Sequence, residues 1–319
     1  MKKIRIGVLG CARIARRSVI PAMQQVEALQ LVAVASRTKD KAQEFATQFG
    51  CEALEGYQSL LDRADIDAIY MPLPTGLHQE WVLRALEAGK HLLVEKSLAS
   101  DYASVLEMVA MARKRSLLLM ENFMFLYHGQ HQYIRSLLQN GEIGALRCFR
   151  SSFGFPPLEP GNFRYDKALG GGALLDAAAY TVRASQLFLP GPLQVRASTL
   201  HVNEQGVDLY GSAFLVNPDG LSAEVAFGFD NFYQCNYELW GSKGKITAER
   251  AFTPGPDFSP TILLEQPGRC ERIQLPAENH FTALLQEFCR CVQHQDGASK
   301  YSEVLEQSRL LDEIKNQNP

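Results

Sequence analysis

The 319-residue sequence lacks three features: a long apolar run, an excess of positive charge, and a closely spaced set of cysteines and histidines. A membrane-spanning helix needs about 20 apolar residues, and no run approaches that length. A net charge of −3 argues against partners held mainly by electrostatics, such as nucleic acid or an anionic membrane. We therefore expect neither a nucleic acid nor a membrane as a partner.

Cysteines are few and scattered. There are seven, and only Cys289 and Cys291 lie close together. No CxxC pair or Cys/His cluster is present, so no zinc or other metal site is expected. Free thiols fit a reducing compartment. The chain starts MKKIRIGVLG, which runs directly into a strand with no signal peptide, so we expect a cytoplasmic protein.

Two styles of secondary structure divide the chain. In residues 1–121, short apolar strands alternate with helical segments, which predicts a doubly wound parallel sheet of the Rossmann type, class α/β. From residue 122 onward, alternating strands separated by turns predict a substrate-binding and oligomerisation α+β domain, 122–319, with a large, mostly antiparallel open sheet. The strands are predicted at 146–155, 193–203, 208–216, 222–229, 233–240 and 244–249. Two amphipathic helices follow, and the C-terminal one can pack back on the first domain.

The first strand ends in a turn with the composition of a dinucleotide site. Gly10-Cys11-Ala12-Arg13-Ile14 leads into a helix, and a second strand, 29–36, completes a βαβ unit. Gly10 permits the tight turn, and the start of the helix offers N–H groups and a positive dipole to phosphate. Ala12 stands where the second glycine of the motif is usual. An ordinary glycine turn is the alternative.

The end of the second strand indicates which cofactor is used. NAD-specific sites usually place an acidic residue there to bind the ribose 2′-hydroxyl. This chain instead has Ser36-Arg37, and a guanidinium can pair with a 2′-phosphate. We therefore expect NADP, with a solvated loop arginine as the alternative.

Later strands end in further candidate residues. The loop Pro72-Leu73-Pro74-Thr75 is suited to lying against a cofactor, and His78 then opens a helix. For His78, a structural hydrogen bond is an equally good interpretation. The strand Leu92–Val94 stops at Glu95-Lys96, and ligands of such sheets bind at the carboxyl ends of the strands, so Lys96 is predicted to point at the ligand.

One helix in the second half carries polar residues among alanines. It follows Gly170-Gly171-Gly172, and Asp176 and Tyr180 are four residues apart, which on a regular helix gives them one face. Small neighbours let a ligand approach closely, and a buried polar pair needs partners. We interpret the pair as part of a site. A structural Asp–Tyr pair is the alternative.

These motifs together resemble the Gfo/Idh/MocA oxidoreductases over nearly the whole chain. The matching residues are the Gly10 turn, Glu95-Lys96, Glu121-Asn122-Phe123-Met124, the three glycines and Asp176…Tyr180. Many members carry histidine where this chain has Tyr180, and the tyrosine is similar to that of sugar-nucleotide 3-ketoreductases. Ser97 departs from the family's usual proline.

The resemblance implies NADPH-dependent reduction of a ketone on a sugar, with a nucleotide-linked 3-keto-deoxysugar as the expected substrate. Tyr180 is the expected proton donor, since its ordinary pKa of about 10 suits donation at neutral pH. Lys96 is expected to lower that pKa through its ammonium group or, as the alternative, to donate the proton itself. Asp176 orients Lys96 or a substrate hydroxyl, and Asn122 joins the cofactor residues. Arg164 and Asp166 are candidate substrate contacts, with a surface ion pair between them as the alternative. A homo-oligomer, dimer or tetramer, is expected through the open sheet.

Two rival functions remain open at this stage. The same residues can run the reaction as an oxidation, as in an NADP-dependent dehydrogenase of a sugar or a trans-dihydrodiol. A non-catalytic dinucleotide-binding sensor is the other, although its mark would be loss of the lysine or the helix tyrosine, and both are present.

Overall fold

The computed structural model describes residues 3–318. The chain divides into two compact units. Unit 1 contains the chain up to Phe123 together with Phe281–Leu305, and unit 2 contains Met124–His280 and the residues from Glu306 onward. The domain limits predicted from the sequence, 121 and 122, remain a prediction.

Unit 1 is built on a six-stranded sheet in the order β3-β2-β1-β4-β5-β6, and all of its neighbours are parallel. The order reverses between β1 and β4, which is the switch point of a doubly wound sheet. The strands are β1 Ile4–Leu9, β2 Leu29–Ser36, β3 Glu52–Glu55, β4 Ala68–Met71, β5 His91–Glu95 and β6 Leu119–Asn122. The predicted Rossmann fold is confirmed.

Helices connect these strands and cover the sheet. They are a π-helical turn Ala15–Val19 that continues as α1 Ile20–Met23, then α2 Lys39–Phe49, α3 Gln58–Leu61, α4 His78–Glu87 and α5 Tyr102–Arg115. The central strands β4 and β5 are buried on both faces because helices lie on both sides, which is why they read as continuous apolar runs. The core also includes Tyr301 and Val304, from near the C-terminus.

Unit 2 is built on an eight-stranded sheet in the order β14-β13-β12-β11-β7-β10-β9-β8. Every neighbouring pair is antiparallel except β7 with β10. The strands are β7 Leu146–Gly154, β8 Gln194–Val202, β9 Asp208–Val216, β10 Ser222–Gly228, β11 Gln234–Gly241, β12 Lys245–Ala248, β13 Thr261–Gln266 and β14 Arg269–Gln274. The predicted large, mostly antiparallel sheet is confirmed.

Two strands of unit 2 were missed by the sequence prediction. β13 and β14 form a hairpin, and β14 lies at the edge of the sheet, where its residues are largely exposed. β14 has no buried face and shows no apolar alternation, so the pattern gave no signal there. β13 does bury alternate residues, Ile262 and Leu264, and this signal was overlooked. The remaining helices are α6 Gly129–Gln139, a π-helical turn Leu174–Ala178 followed by α7 Ala179–Phe188, α8 His280–His294 and α9 Ala298–Asn316.

Within residues 3–318, none of the helices combines the length and apolar character that crossing a membrane requires.

Candidate active site

The glycine turn of unit 1 joins three strand ends. Gly10 follows β1 with a φ of +121°, and its N–H donates to the Ala35 carbonyl at the end of β2 (3.0 Å). A Cβ at Gly10 would lie 2.8 Å from Leu73 Cδ2, in the loop after β4. The Leu73 side chain could shift to make room, so it is the positive φ, which residues with a Cβ rarely adopt, that favours glycine here.

The predicted cofactor residues near this turn differ in accessibility. Arg13 and Arg37 are exposed, Ala12 and Ile14 are half-buried, and Ser36 is buried at the end of β2. Cys11 is also buried, which raises the pKa of its thiol, so it is not a reactive thiolate. No carboxylate occupies the strand end; the first acidic residue beyond it is Asp40 in α2. The exposed guanidinium of Arg37 and the missing acid fit a phosphorylated ribose.

A buried acid anchors the segment that carries Lys96. The Glu95 carboxylate accepts from the Tyr70 hydroxyl and from the Asn122 amide, both at 2.6 Å. Burial raises the pKa of Glu95, although these two donors and the Lys96 charge oppose the rise. Glu95 is therefore held between β4 and β6, and it fixes the point from which Lys96 departs.

The chain after Lys96 is tied to the same sheet. The Lys96–Ser97 peptide bond is cis, and Ser97 is buried. The Leu98 N–H donates to the Glu121 carboxylate at 2.8 Å. The segment 95–98 is thus held at its start by Glu95 of β5 and at its end by Glu121 of β6.

His78 is a structural link between two of the predicted site loops. Its ring is fully buried, with Nε2 2.8 Å from the Leu73 carbonyl and Nδ1 3.0 Å from the Ser97 carbonyl. Burial lowers its pKa, which the facing carbonyls partly offset. An imidazole with no exposed surface does not touch a ligand, so the prediction of direct cofactor contact is not supported. The ring packs between the Pro72–Thr75 loop and the segment after Lys96, and in its neutral form it donates to one of the two carbonyls.

The glycines of unit 2 permit close backbone approach. A Cβ at Gly171 would lie 2.4 Å from the Arg164 carbonyl oxygen, and one at Gly172, where φ is +118°, would lie 2.2 Å from Asp208 Oδ1. The Asp208 carboxylate accepts from the Leu174 N–H at 2.5 Å. An acid from β9 therefore caps the start of the helix that bears Asp176 and Tyr180.

That helix is not regular where the sequence predicted a shared face. Residues Leu174–Ala178 form a π-helical turn, and α-helical geometry begins only at Ala179. Asp176 lies in the π turn and accepts from Arg164 (Nε–Oδ2 2.6 Å). Burial lowers the pKa of Arg164, but the Asp176 carboxylate and, when ionised, the Tyr180 phenol outweigh it, so the pKa is raised.

Arg164 pairs with Asp176 and not with Asp166, so the alternative of an Arg164–Asp166 ion pair is wrong. The Asp166 carboxylate instead accepts from the Ala168 N–H at 2.9 Å and caps a short 3₁₀ turn. Nothing in its local bonding indicates a substrate contact.

Tyr180 is buried among aromatic rings. The ring centroids of Phe153, Phe252 and Phe125 lie 5.0, 5.7 and 5.8 Å from its own, and its hydroxyl lies 3.9 Å from Met124 Sδ. Such a wall fixes the phenol ring by packing. Unit 2 therefore presents a packed phenol beside an Arg–Asp ion pair.

Three residues of these clusters were missed as site residues: Tyr70, Glu121 and Asp208. Tyr70 had a signal, since a hydroxyl in the apolar strand AIYM needs a partner. Glu121 had a signal too, being an acid at a strand end beside the quoted Asn122. Asp208 had none, because it is 34 residues from the helix start that it caps.

Both units of the chain match known protein families. Residues 4–123 match the oxidoreductase family with an NAD-binding Rossmann fold, and residues 131–247 match the GFO/IDH/MocA C-terminal domain. The dTDP-3,4-didehydro-2,6-dideoxy-alpha-D-glucose 3-reductase of Saccharopolyspora spinosa is 48% identical over 93% of this chain and 90% of its own length. The protein of the same description from Actinomadura kijaniata is 42% identical over 98% and 95%.

A solved structure agrees. A 3-ketoreductase from Actinomadura kijaniata in complex with NADP and TDP-benzene superimposes with a TM-score of 0.96 and 40% identity, covering 99% of this chain and 98% of that one. The chain therefore belongs to the GFO/IDH/MocA family of oxidoreductases.

Proposed function

We propose that this chain is an NADPH-dependent reductase of the 3-keto group of a dTDP-linked deoxysugar. The observation that carries the proposal is the match, over nearly the full length of both chains, to a dTDP-sugar 3-reductase at 48% identity. A buried phenol beside an Arg–Asp ion pair supports it, because reduction of a ketone needs a positioned proton donor.

Unit 1 is proposed to hold the cofactor. Gly10, Cys11, Ala12, Arg13 and Ile14 offer backbone N–H groups and charge to the pyrophosphate, and Ser36 and Arg37 bind the 2′-phosphate. The rest of the proposed cofactor site is lined by Pro72, Leu73, Thr75 and Asn122. His78 and Glu95 act as positioning residues. NADPH, when bound, supplies the hydride.

The proton is proposed to come from Tyr180, with the Lys96 ammonium lowering the pKa of the phenol. Asp176 fixes Arg164, and Arg164 adds positive charge near the phenol. The proposed substrate contacts are Arg164 and Tyr180. Asp166 caps its own 3₁₀ turn and stays a candidate substrate contact on the sequence argument alone.

A steady-state assay with nucleotide-linked keto sugars and both reduced cofactors tests the function. Tyr180→Phe should lower kcat on the order of 10²–10⁴-fold, the usual contribution of a general acid. Near-normal turnover by that variant would exclude the acid role. Tyr133→Phe, which removes a hydroxyl from α6 and leaves Tyr180 in place, is a matched control.

Cofactor preference tests the role of Arg37. Arg37→Ala should weaken the binding of NADPH on the order of 10–100-fold, which is the effect of losing one charge-assisted pair. The affinity for NADH should not change. Tighter binding of NADH than NADPH by the unaltered protein would contradict the proposal.

The opposite direction, oxidation of a sugar or trans-dihydrodiol, uses the same groups, since proton donor and acceptor exchange roles. We propose reduction because the relatives at 42–48% identity are described as reductases. Turnover with NADP and a simple aldose or dihydrodiol, without turnover of any keto sugar, would reverse this assignment.

We further propose a cytoplasmic homo-oligomer, a dimer or tetramer formed through the sheet of unit 2. Tyr210, Phe214 and Trp240 stand exposed on that sheet, a composition common in interfaces. Light scattering of the wild type and of Phe214→Glu tests it: the variant should dissociate, and a monomeric wild type would refute the proposal.

A further inference from the structure

One arginine of unit 2 is held in place by aromatic rings instead of by an acid. The Arg250 guanidinium lies over Tyr233 (5.0 Å to the ring centroid) and over Phe258 (5.6 Å), and it donates to the Tyr233 hydroxyl. No carboxylate of residues 3–318 forms an ion pair with it. Its positive charge is therefore not neutralised by the protein.

The backbone at this position is fixed. The Gln130 amide donates to the Arg250 carbonyl at 3.3 Å, and the Ala251 N–H donates to the Cys235 carbonyl at 2.7 Å. The side chain thus leaves a rigid base and is oriented by two rings. A guanidinium stacked in this way keeps N–H groups available for a two-point bond to an oxyanion.

Arg250 is also close along the chain to the proposed proton donor. Phe252 follows two residues later, a separation of at most about 7 Å of extended chain. Its fully buried ring packs against Tyr180. In a sugar nucleotide the diphosphate lies several bonds from the ketone carbon, so the proposal requires Arg250 and Tyr180 to face one ligand.

The surrounding surface suits a nucleotide. The exposed fractions of Tyr233 and Phe258 are 37% and 40%, and that of Phe232 is 85%. Exposed rings beside a cation are the combination that stacks bases and binds phosphates in nucleotide-binding proteins.

Resting on the proposed function, we propose that Arg250, held between Tyr233 and Phe258, binds the diphosphate of the sugar nucleotide. The bond is non-covalent, and it positions the substrate without taking part in proton transfer. Arg250 then makes the enzyme specific for nucleotide-linked sugars over free sugars.

The test measures binding of dTDP and of thymidine by calorimetry to the full-length protein with NADPH present. Arg250→Ala should weaken the binding of dTDP on the order of 10–100-fold and that of thymidine less than about threefold, because only dTDP carries the diphosphate. Arg250→Lys, which keeps the charge but loses the two-point geometry, should give a smaller loss. This conservative variant also carries the test if the alanine variant folds poorly.

Arg272→Ala is the matched control. Because loss of Arg272 would free the Glu249 carboxylate beside Arg250, a second control is Arg269→Ala. Arg269 is an exposed arginine of β14 that pairs with Glu271, and its removal should leave dTDP binding unchanged. In turnover, Arg250→Ala should raise the KM of the sugar nucleotide and leave the KM of NADPH unchanged.

The outcomes separate the two proposals. If the wild type binds dTDP and both Arg250 variants bind it equally well, the Arg250 assignment is wrong and the proposed function stands. If the wild type does not bind dTDP at all, the nucleotide-linked substrate and the Arg250 assignment both fail. A loss of NADPH affinity equal to the loss of dTDP affinity would assign Arg250 to the cofactor and overturn the inference.

Discussion

The two units hold their candidate site residues by different physical means. In unit 1, His78 lies against backbone carbonyls, and Glu95 accepts from a hydroxyl and an amide of the strands on either side. In unit 2, Tyr180 and the buried His131 are surrounded mainly by aromatic rings. The candidate residues of unit 1 are held by hydrogen bonds between strand ends, whereas the surroundings of Tyr180 and His131 in unit 2 consist mainly of packed rings.

This difference follows from the two sheets. Parallel strands end together at one edge, so residues just after β4, β5 and β6 meet and can bond to each other. An antiparallel sheet does not gather its strand ends in that way. Its inner face is a layer of side chains, and the helix bearing Tyr180 packs on that layer through rings.

The largest expected effect tests the packing of unit 2. Phe252→Ala removes a fully buried ring that packs edge-on against Phe125 and tilts against Tyr180. We expect the free energy of unfolding to fall by about 3–5 kcal/mol, the usual cost of deleting a buried phenylalanine. Denaturant unfolding of the wild type and the variant measures the difference. Phe232→Ala, at a highly exposed ring, should change it by less than about 0.5 kcal/mol.

A loss below 1 kcal/mol for Phe252→Ala would mean that packing does not hold unit 2 together. The contrast between the units would then be wrong.

The next prediction compares one buried histidine from each unit. His78→Leu should cost about 1–3 kcal/mol, because a buried carbonyl of Leu73 or Ser97 loses its donor and no second change can remove that carbonyl. His131 instead bonds to a side chain, the Tyr237 hydroxyl, at 2.8 Å. His131→Leu combined with Tyr237→Phe removes both members of this pair, with the Ala251 carbonyl beside His131 retained, and should cost less than the sum of the single changes.

Denaturant unfolding of the four variants measures these differences. If the double change in unit 2 costs as much as the sum of its single changes, the aromatic surroundings do not tolerate apolar replacement, and the distinction between the units disappears.

The same contrast explains what the sequence could predict. The confirmed features, both sheets and the family, depend on local patterns: the Gly10 turn, the strand before Lys96, and the alternation of β7 to β12. Arg164 and Asp176 are only 12 residues apart, yet their ion pair was not predicted, since the π-helical turn that holds Asp176 leaves no signature in residue order.

Contacts between distant residues were beyond sequence reasoning. The ring of Phe252 reaches Tyr180 across 72 positions, and His131 reaches Tyr237 across 106. Which residues meet across a sheet depends on register and on packing, and a single sequence does not encode either in a local pattern. The roles assigned to the site residues stay predictions.

Acid sensitivity should report the burial of three histidines of unit 2. Burial lowers the pKa of His131 and of His280 to about 3, and it lowers that of His128 although the Glu278 charge opposes this. Their ordinary pKa is about 6.5, so between pH 6.5 and about 3 the unfolded chain binds protons that the folded chain does not. Stability is therefore complete above pH 6.5 and falls as the pH drops, by up to about 1.4 kcal/mol per pH unit for each histidine.

Unfolding at pH 7.5 and pH 5.5 checks this sign and size. The double variant His131→Leu/Tyr237→Phe should lose less stability on acidification than wild type, and Tyr237→Phe alone should lose as much as wild type. Identical pH dependence in all three proteins would show that His131 is not kept neutral by its surroundings.

The smallest expected change in stability compares one cap from each unit. Asp101 caps α5 in unit 1 by accepting from the Ser104 N–H at 2.8 Å, three residues away. Asp208 performs the same task in unit 2 from another strand, for the helix that carries Tyr180. Asp101→Ala and Asp208→Ala should each cost about 1 kcal/mol, the usual value of a lost cap.

The effects of the two changes on catalysis should differ, because only Asp208→Ala frees a helix that bears a proposed catalytic residue. We expect Asp208→Ala to lower kcat by about tenfold or more, since small displacements of a reacting group are costly, and Asp101→Ala to leave it unchanged. Equal kcat values for the two variants would show that the start of the Tyr180 helix does not depend on Asp208, and that the aromatic wall alone positions the phenol.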